Sequence, residues 1–400
     1  MTPSDSSLDL QALRADTPGC QTRIHLNNAG AALMPRPVLA AIEEHLELET
    51  RIGGYEAEAT RREATQGVYD AVARLLGAKS RNIALVENAT AAYAQALSSI
   101  AFEPGDVIVT SRNDYISNQL MFLALQKRFG VEVLRAPDLT EGGVDPEAVE
   151  SLIEKHRPRL VAMTWIPTNS GLIQPVEEVG RRCRKYDVPY LVDACQTVGQ
   201  LPIDVDELGC DFLSATGRKY LRGPRGTGFL YVSDRLLDAN IEPLFIDLRG
   251  AEWTEPDSYR PVDNARRFEN WEFSHALVLG LGAAAKYAHE LDVARTAKRA
   301  CALAALARDR LSTLDKVRIL DRGTHLAAIV TLAVTGAEAH PVLDALRKRG
   351  INTSLSFRNY ATIDFAEKDV EWALRVSPHY YNEENEIEAL VTALSEILSS

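Results

Sequence analysis

Three strand-like runs between positions 190 and 232 each end in residues that could do chemistry. The first, reaching Val192, ends on an acid, Asp193, with Gln196 three places further on. The second, CDFLSATG, leads to a lysine, Lys219, with Thr216 and Arg218 beside it. The third, GFLYV, follows a Gly-Pro-Arg-Gly-Thr-Gly turn whose glycines supply unusual backbone angles and close approach. An acid and an amine at neighbouring strand ends suit pyridoxal 5'-phosphate (PLP). The lysine would form a Schiff base with its aldehyde, and the acid would keep the pyridine nitrogen protonated so that the ring accepts electrons. Thr216 and Arg218 would hold the phosphate, by hydroxyl and by fixed charge. Strand-end Asp and Lys are also ordinary surface residues, so the pair taken alone leaves that plainer reading open.

The elements that must position these groups alternate along the chain. Helix-period stretches at 37–50 and Arg62–Leu76 interleave with short Val/Ile/Leu runs at Ile83–Val86, Val107–Thr110, 159–164 and 189–192. Such alternation predicts an α/β fold with helices packed on a mostly parallel sheet. The stretch 241–267 reads as a long polar loop dotted with aromatics, of the kind that is functional or interfacial. Two helical patterns follow, at 276–291 and 294–313, then strand-like VRIL, HLAAIVTLAV and INTSLS. They predict a smaller α+β unit at the C-terminus. The expected division is a large cofactor domain over 25–275 and a small domain made of 1–24 with 276–400.

Composition narrows the function. A formal charge of −12 without a basic stretch argues against nucleic acid as a partner. No apolar run approaches bilayer length, and the polar, acidic start lacks the pattern of a secretory signal. The five cysteines have neither CxxC nor metal-ligand spacing, so neither a metal nor a disulfide framework is expected. A cytoplasmic protein acting on a small molecule is the expectation.

The run from 190 to 232 resembles the cofactor segment of the class V aminotransferases. These fold-type I PLP enzymes include cysteine desulfurases, C–S lyases, kynureninases and isopenicillin N epimerase. The matching places are Asp193, Ala194 and Gln196, then Thr216, Arg218 and Lys219, then Gly223, Pro224, Gly226 and Gly228. The resemblance implies a mostly parallel seven-stranded sheet, PLP linked to Lys219, and a homodimer with active sites at its interface. Further matches follow in the family's order. Asn88, Ala89 and Thr90 stand before a helical pattern, where backbone N–H groups and a hydroxyl at a positive helix terminus would seat a phosphate; an ordinary N-cap fits there too. Tyr115 takes the place of the histidine that stacks on the ring, which keeps the π face but removes a titrating nitrogen. Thr168, or Asn169 beside it, stands where a polar residue meets the cofactor's phenolic oxygen. For the substrate, Asn28 and Gly30 sit in a segment whose family counterpart cradles a carboxylate, although Asn and Gly form turns anyway. Arg375 matches the arginine that clamps the α-carboxylate with two parallel donors.

The reaction separates less cleanly than the family. The desulfurases of this family carry a reactive cysteine shortly before the clamp arginine, whereas 351–375 contains none here. Without that thiolate the usual desulfurase route is not expected. The Gly53-Gly54-Tyr55 stretch resembles that of sulfoxide-type C–S lyases, with Tyr55 facing the substrate, and also a stretch in isopenicillin-N-epimerase-like proteins. Elimination at a C–S bond is therefore the leading expectation. Aminotransfer, epimerisation and decarboxylation-linked deamination remain alternatives. A transcription regulator built on this fold would need a basic helix-turn-helix head, for which the first twenty-four residues are too short and too acidic. The 246–260 loop and the Gly-Gly-Tyr stretch are expected to reach across a dimer interface.

Overall fold

The computed structural model describes residues 8–399, so the polar stretch 1–7 lies outside the described residues. In chain order the strands begin with β1 (Ile24–His25), β2 (Ile83–Val86), β3 (Val107–Thr110) and β4 (Glu132–Arg135). Next come β5 (Leu160–Thr164), β6 (Tyr190–Asp193), β7 (Phe212–Thr216) and β8 (Gly228–Val232). The later ones are β9 (Ala251–Glu255), β10 (Ser258–Pro261), β11 (Val317–Ile319), β12 (Val330–Val334), β13 (Ile351–Asn352), β14 (Ser354–Phe357) and β15 (Trp372–Val376).

Seven of these form one sheet in the order β2-β8-β7-β6-β5-β3-β4. Only β8 runs against its neighbours, pairing antiparallel with both β2 and β7. Strands β3, β5, β6, β7 and β8 are buried along their whole length, as expected of a sheet covered by helices on both faces. Each apolar run therefore ends where polar residues emerge at the sheet's edge. Asp193 is the last residue of β6, and Thr216 the last of β7.

A second sheet, β11-β12-β15-β14, is antiparallel throughout and carries Arg375 on β15. The start of the chain joins this region directly. Strand β1 pairs in parallel with β13, and Asn27 bridges to Ser377 just beyond β15. A buried arginine ties the same parts together. Arg222, three residues after Lys219, donates to the Leu33 carbonyl at 2.9 Å, the Thr17 hydroxyl at 2.6 Å and the Tyr380 hydroxyl at 2.5 Å. Its guanidinium carbon also lies 4.5 Å from the Tyr381 ring centre.

The 241–267 stretch is not the continuous loop read from the sequence. It contains the β9–β10 hairpin and a single-turn helix, Ala265–Phe268. Both strands of the hairpin are exposed on nearly all positions, so they lack the apolar alternation that marks a half-buried strand.

The turn 223–228 shows why glycine is needed between β7 and β8. Gly226 has φ +81°, and a Cβ at Gly228 would stand 2.7 Å from the Ala215 carbonyl oxygen and 2.7 Å from the Asn88 carbonyl carbon. Both obstacles are backbone, so neither can swing aside. Gly228→Ala should lower the unfolding free energy by about 1–3 kcal/mol through overpacking. Urea denaturation measures this, and an unchanged midpoint would mean that the Asn88 turn does not rest against β8.

Candidate active site

A cavity of about 420 Å³ opens at the ends of β5, β6 and β7, a volume suited to a small ligand. It is lined by Asn88, Ala89, Thr90, Tyr115, Thr168, Asp193, Gln196, Thr216, Arg218 and Lys219, together with Thr164, Ile166 and Cys195. These residues come from segments up to 131 positions apart, brought together because each ends a sheet strand, follows one or opens the helix after one.

Asp193 is buried and fixed. Its Oδ1 accepts the Cys195 N–H at 2.9 Å, and its Oδ2 accepts from Asn118 Nδ2 at 3.0 Å. Asn118 also donates to Asp114 at 3.1 Å. Asp114 in turn receives the Tyr115 N–H at 2.6 Å and the hydroxyls of Thr110 and Thr164. Burial pushes the Asp114 carboxyl upward, and these donors oppose it. Asp114 thus anchors the turn that presents Tyr115. Asn118, which with Asp114 and Tyr115 matches the family's stretch at this place, lies in the first turn of the helix Ile116–Phe129 and joins the two carboxylates.

Lys219 Nζ lies 5.9 Å from the centre of the Tyr115 ring. Burial pulls its amine down to about 8, with Arg218 and Arg375 adding to the effect and Cys195 and Asp193 opposing it. Burial and the Asp193 charge push the Cys195 thiol well up, so it stays protonated.

At the other end, Asn88 caps the helix Ala89–Ser98 by accepting the Ala91 N–H at 2.9 Å. The N–H groups of Ala89 and Thr90, which line the cavity, have no intrahelical partner, as suits an anion seat. Cap and anion seat are thus compatible. Thr216 spends its proton on the Thr227 carbonyl at 3.1 Å, so it must turn to donate to a phosphate. Arg218 donates to the Gly30 carbonyl.

The substrate side is organised by Arg375. Its Nη1 donates to the Thr168 hydroxyl at 2.8 Å and carbonyl at 3.1 Å, and its Nη2 to Asn27 Oδ1 at 3.2 Å. Nε is buried without a partner. Burial draws Arg375 down to about 10. A buried guanidinium bonded only to neutral oxygens, with a spare donor, is set to take an anion. Gln196 donates to the Thr168 hydroxyl at 2.8 Å and leaves its own Oε1 buried and unpaired.

None of the four expected substrate residues lines this cavity: Arg375 stands behind Thr168, which does line it, and the other three are turned to different partners. Asn28 is fully buried and spent on structure, donating to the Ser377 carbonyl at 2.8 Å and accepting from the Tyr381 hydroxyl. Its neighbour Asn27 faces Arg375 instead. Gly30 gives its N–H to the Asn27 carbonyl at 3.0 Å and its carbonyl to Arg218, leaving no free donor. Tyr55 is 73% exposed and lines a separate cleft with Arg249, Trp271 and His275.

The donor set fits PLP. It offers an amine, a fixed carboxylate and an aromatic face in the cavity, an anion seat where the helix Ala89–Ser98 begins, and, behind Thr168, a buried guanidinium with no anionic partner. Acylation of the cofactor-free protein tests the central amine. Below about pH 8 Lys219 is protonated and inert; above it the amine is neutral and reactive, so labelling should rise with a midpoint near 8. Peptide mass mapping reads this out, and a midpoint at the ordinary lysine value of 10.5 would remove Lys219 from the buried setting described.

Known proteins share this architecture. A probable cysteine desulfurase of Methanothermobacter thermautotrophicus is 29% identical over 96% of this chain and 97% of its own length. The apo cysteine desulfurase of Thermococcus onnurineus superposes with a TM-score of 0.89 at 25% identity, covering 97% of this chain and 98% of that one. A cystine C–S lyase, solved with its reaction product cysteine persulfide, shares the fold with a TM-score of 0.84 at 21% identity, over 95% and 99% of the two chains. The sequence profile of the family described as Aminotransferase class-V matches residues 24–390. The chain belongs to the class-V aminotransferases, a PLP-dependent family of α/β fold.

Proposed function

We propose that the protein is a PLP-dependent enzyme that cleaves the C–S bond of an amino acid with a free α-carboxylate by α,β-elimination, as a cysteine-conjugate or sulfoxide lyase does. The observation that carries this reading is the buried guanidinium of Arg375, without an anionic partner, beside the cavity that holds Lys219. C–S chemistry is supported by relatives named as cysteine desulfurases and a C–S lyase. Elimination is favoured over sulfur transfer because the stretch 351–375 offers no thiol, and Cys195, the cysteine lining the cavity, is held protonated.

When bound, PLP supplies an aldehyde to hold the substrate amine and a ring that takes up electron density from the α-carbon. Asp193, fixed by the Cys195 N–H and Asn118, would be the carboxylate that keeps the ring nitrogen protonated. Arg375 would bind the α-carboxylate with two parallel N–H donors, exchanging bonds it now makes to the neutral oxygens of Thr168 and Asn27. Lys219, partly neutral near pH 8, removes the α-proton as general base. The C–S electrons depart with the sulfur group, and the remainder hydrolyses to pyruvate and ammonia. Tyr115 shields one face without offering a second base.

Arg375→Lys keeps the charge but loses the planar fork, so the half-saturating substrate concentration should rise about tenfold to a hundredfold. Pyruvate release from S-substituted cysteines measures it, and replacing each cysteine in turn should leave the rate unchanged. An unaltered KM would remove Arg375 from the carboxylate site. Cysteine-dependent sulfide release, or turnover only with an added keto acid, would replace this reading with desulfuration or aminotransfer.

We further propose a cytoplasmic homodimer, each chain divided into a large part at 25–275 and a small one formed by 1–24 with 276–400. Large apolar side chains crowd the surface near the hairpin, with Phe245 and Trp253 each 79% exposed and Leu244, Leu248 and Trp271 nearby in sequence. Exposed apolar groups in such density suit a protein interface, and Tyr55 would meet a partner there. Light scattering at micromolar concentration should report a dimer; an active monomer would sink this proposal.

A further inference from the structure

The stretch between β14 and β15 is folded into a short helix, Thr362–Glu367, pinned from two sides. Toward the small sheet, Phe365 is wholly buried in a cluster with Leu320, Val370 and Ala373. Toward the large sheet the contact is polar. Asp364 accepts Asn169 Nδ2 at 2.7 Å and Asn113 Nδ2 at 3.4 Å, and Asn169 Nδ2 also reaches Asn113 Oδ1 at 3.1 Å. Lys368 Nζ closes the network on Asp364 at 2.8 Å, with its side chain 2% exposed. An exposed pair, Arg112 with Glu367, lies at the rim.

Asn169 follows Thr168, the residue that receives both Arg375 and Gln196. Asn113 precedes Asp114 and Tyr115. The carboxylate of Asp364 therefore joins, from behind, the two loops that present the cavity's substrate-side hydroxyl and its aromatic face. Buried amides and an ammonium gathered on one carboxylate are costly to break, because each would be left desolvated and unpaired.

We propose that Asp364 is a positioning residue: by clamping the 111–115 and 167–170 loops to the Thr362–Glu367 helix, it fixes Thr168 and so the orientation of the Arg375 guanidinium. This rests on the reading of Arg375 as the carboxylate clamp. The helix is then a fixed brace across both sheets, and substrate capture depends on a residue that touches neither substrate nor cofactor.

The test compares Asp364→Ala with Glu367→Ala, which removes only the exposed pair. In the cofactor-free protein, Asp364→Ala should speed hydrogen exchange of the amides in 113–115, 168–170 and 362–367, while Glu367→Ala, which releases only Arg112 at the rim, should leave 168–170 unchanged. In the loaded enzyme, Asp364→Ala should raise KM for an S-substituted cysteine about tenfold with kcat little changed, as expected for a lost charge-assisted bond acting on binding. Asp364→Asn, which keeps one acceptor oxygen and so can hold Asn169 but not both amides and the Lys368 charge, should restore only part of the loop protection. Unchanged loop exchange in Asp364→Ala, or a fall in kcat at constant KM, would overturn the proposal. Failure of the functional reading would show differently, as a wild-type enzyme that turns over none of these substrates although the exchange pattern holds.

Discussion

A positive charge buried without a negative one is the constraint on which this molecule's organisation depends. Arg375 belongs to the antiparallel sheet, yet its side chain must end at the strand termini of the other sheet, among neutral oxygens of Thr168 and Asn27. Such a charge is tolerable only where its position is enforced and an anion can arrive. The chain enforces it by threading its own start between the two regions. β1 pairs with β13, Asn27 bridges to Ser377, and Asn28 is consumed in holding that bridge. The arginine's geometry is thus set by residues some 350 positions earlier in the chain.

That arrangement explains which parts of the site were legible in the sequence. Lys219, Asp193 and the turn after them lie within one local run, and their meeting at one cavity follows from strand ends and glycines that a sequence displays directly. The helix start at Asn88 is legible for the same reason. Asn27 and Asn28 were not separable, because strand β1 is two residues long and no periodicity tells which side chain faces inward. Gly30 reads as a free donor, but its N–H closes the local turn on the Asn27 carbonyl, a bond the sequence does not display. Tyr55 lies in an exposed helix, and a single chain gives it no place at the cavity. Asp364 carries no local signal at all; its meaning comes only from the two asparagines that the fold delivers to it.

The fold was legible where burial imposes a pattern. Fully buried strands such as β5 and β6 read as apolar runs, and the helix Arg62–Leu76 ends where Gly77 takes φ +67°, a left-handed stop. The β9–β10 hairpin and the edge strand β4 were not legible, since neither is buried enough for its composition to reveal it.

The chemistry follows from the same division between buried and exposed. Burial lowers the Lys219 amine toward neutrality and raises the Cys195 thiol away from ionisation, so one environment prepares a base and disarms a nucleophile. A sulfur-accepting thiol would need the opposite: exposure, a depressed pKa and freedom to move. The segment before Arg375, where the family's desulfurases place theirs, is here tied down by Phe365 in an apolar cluster and by Asp364 in a polar one. A helix held on both faces can orient groups but is poorly suited to carry sulfur away, which is the physical ground for proposing elimination over sulfur transfer.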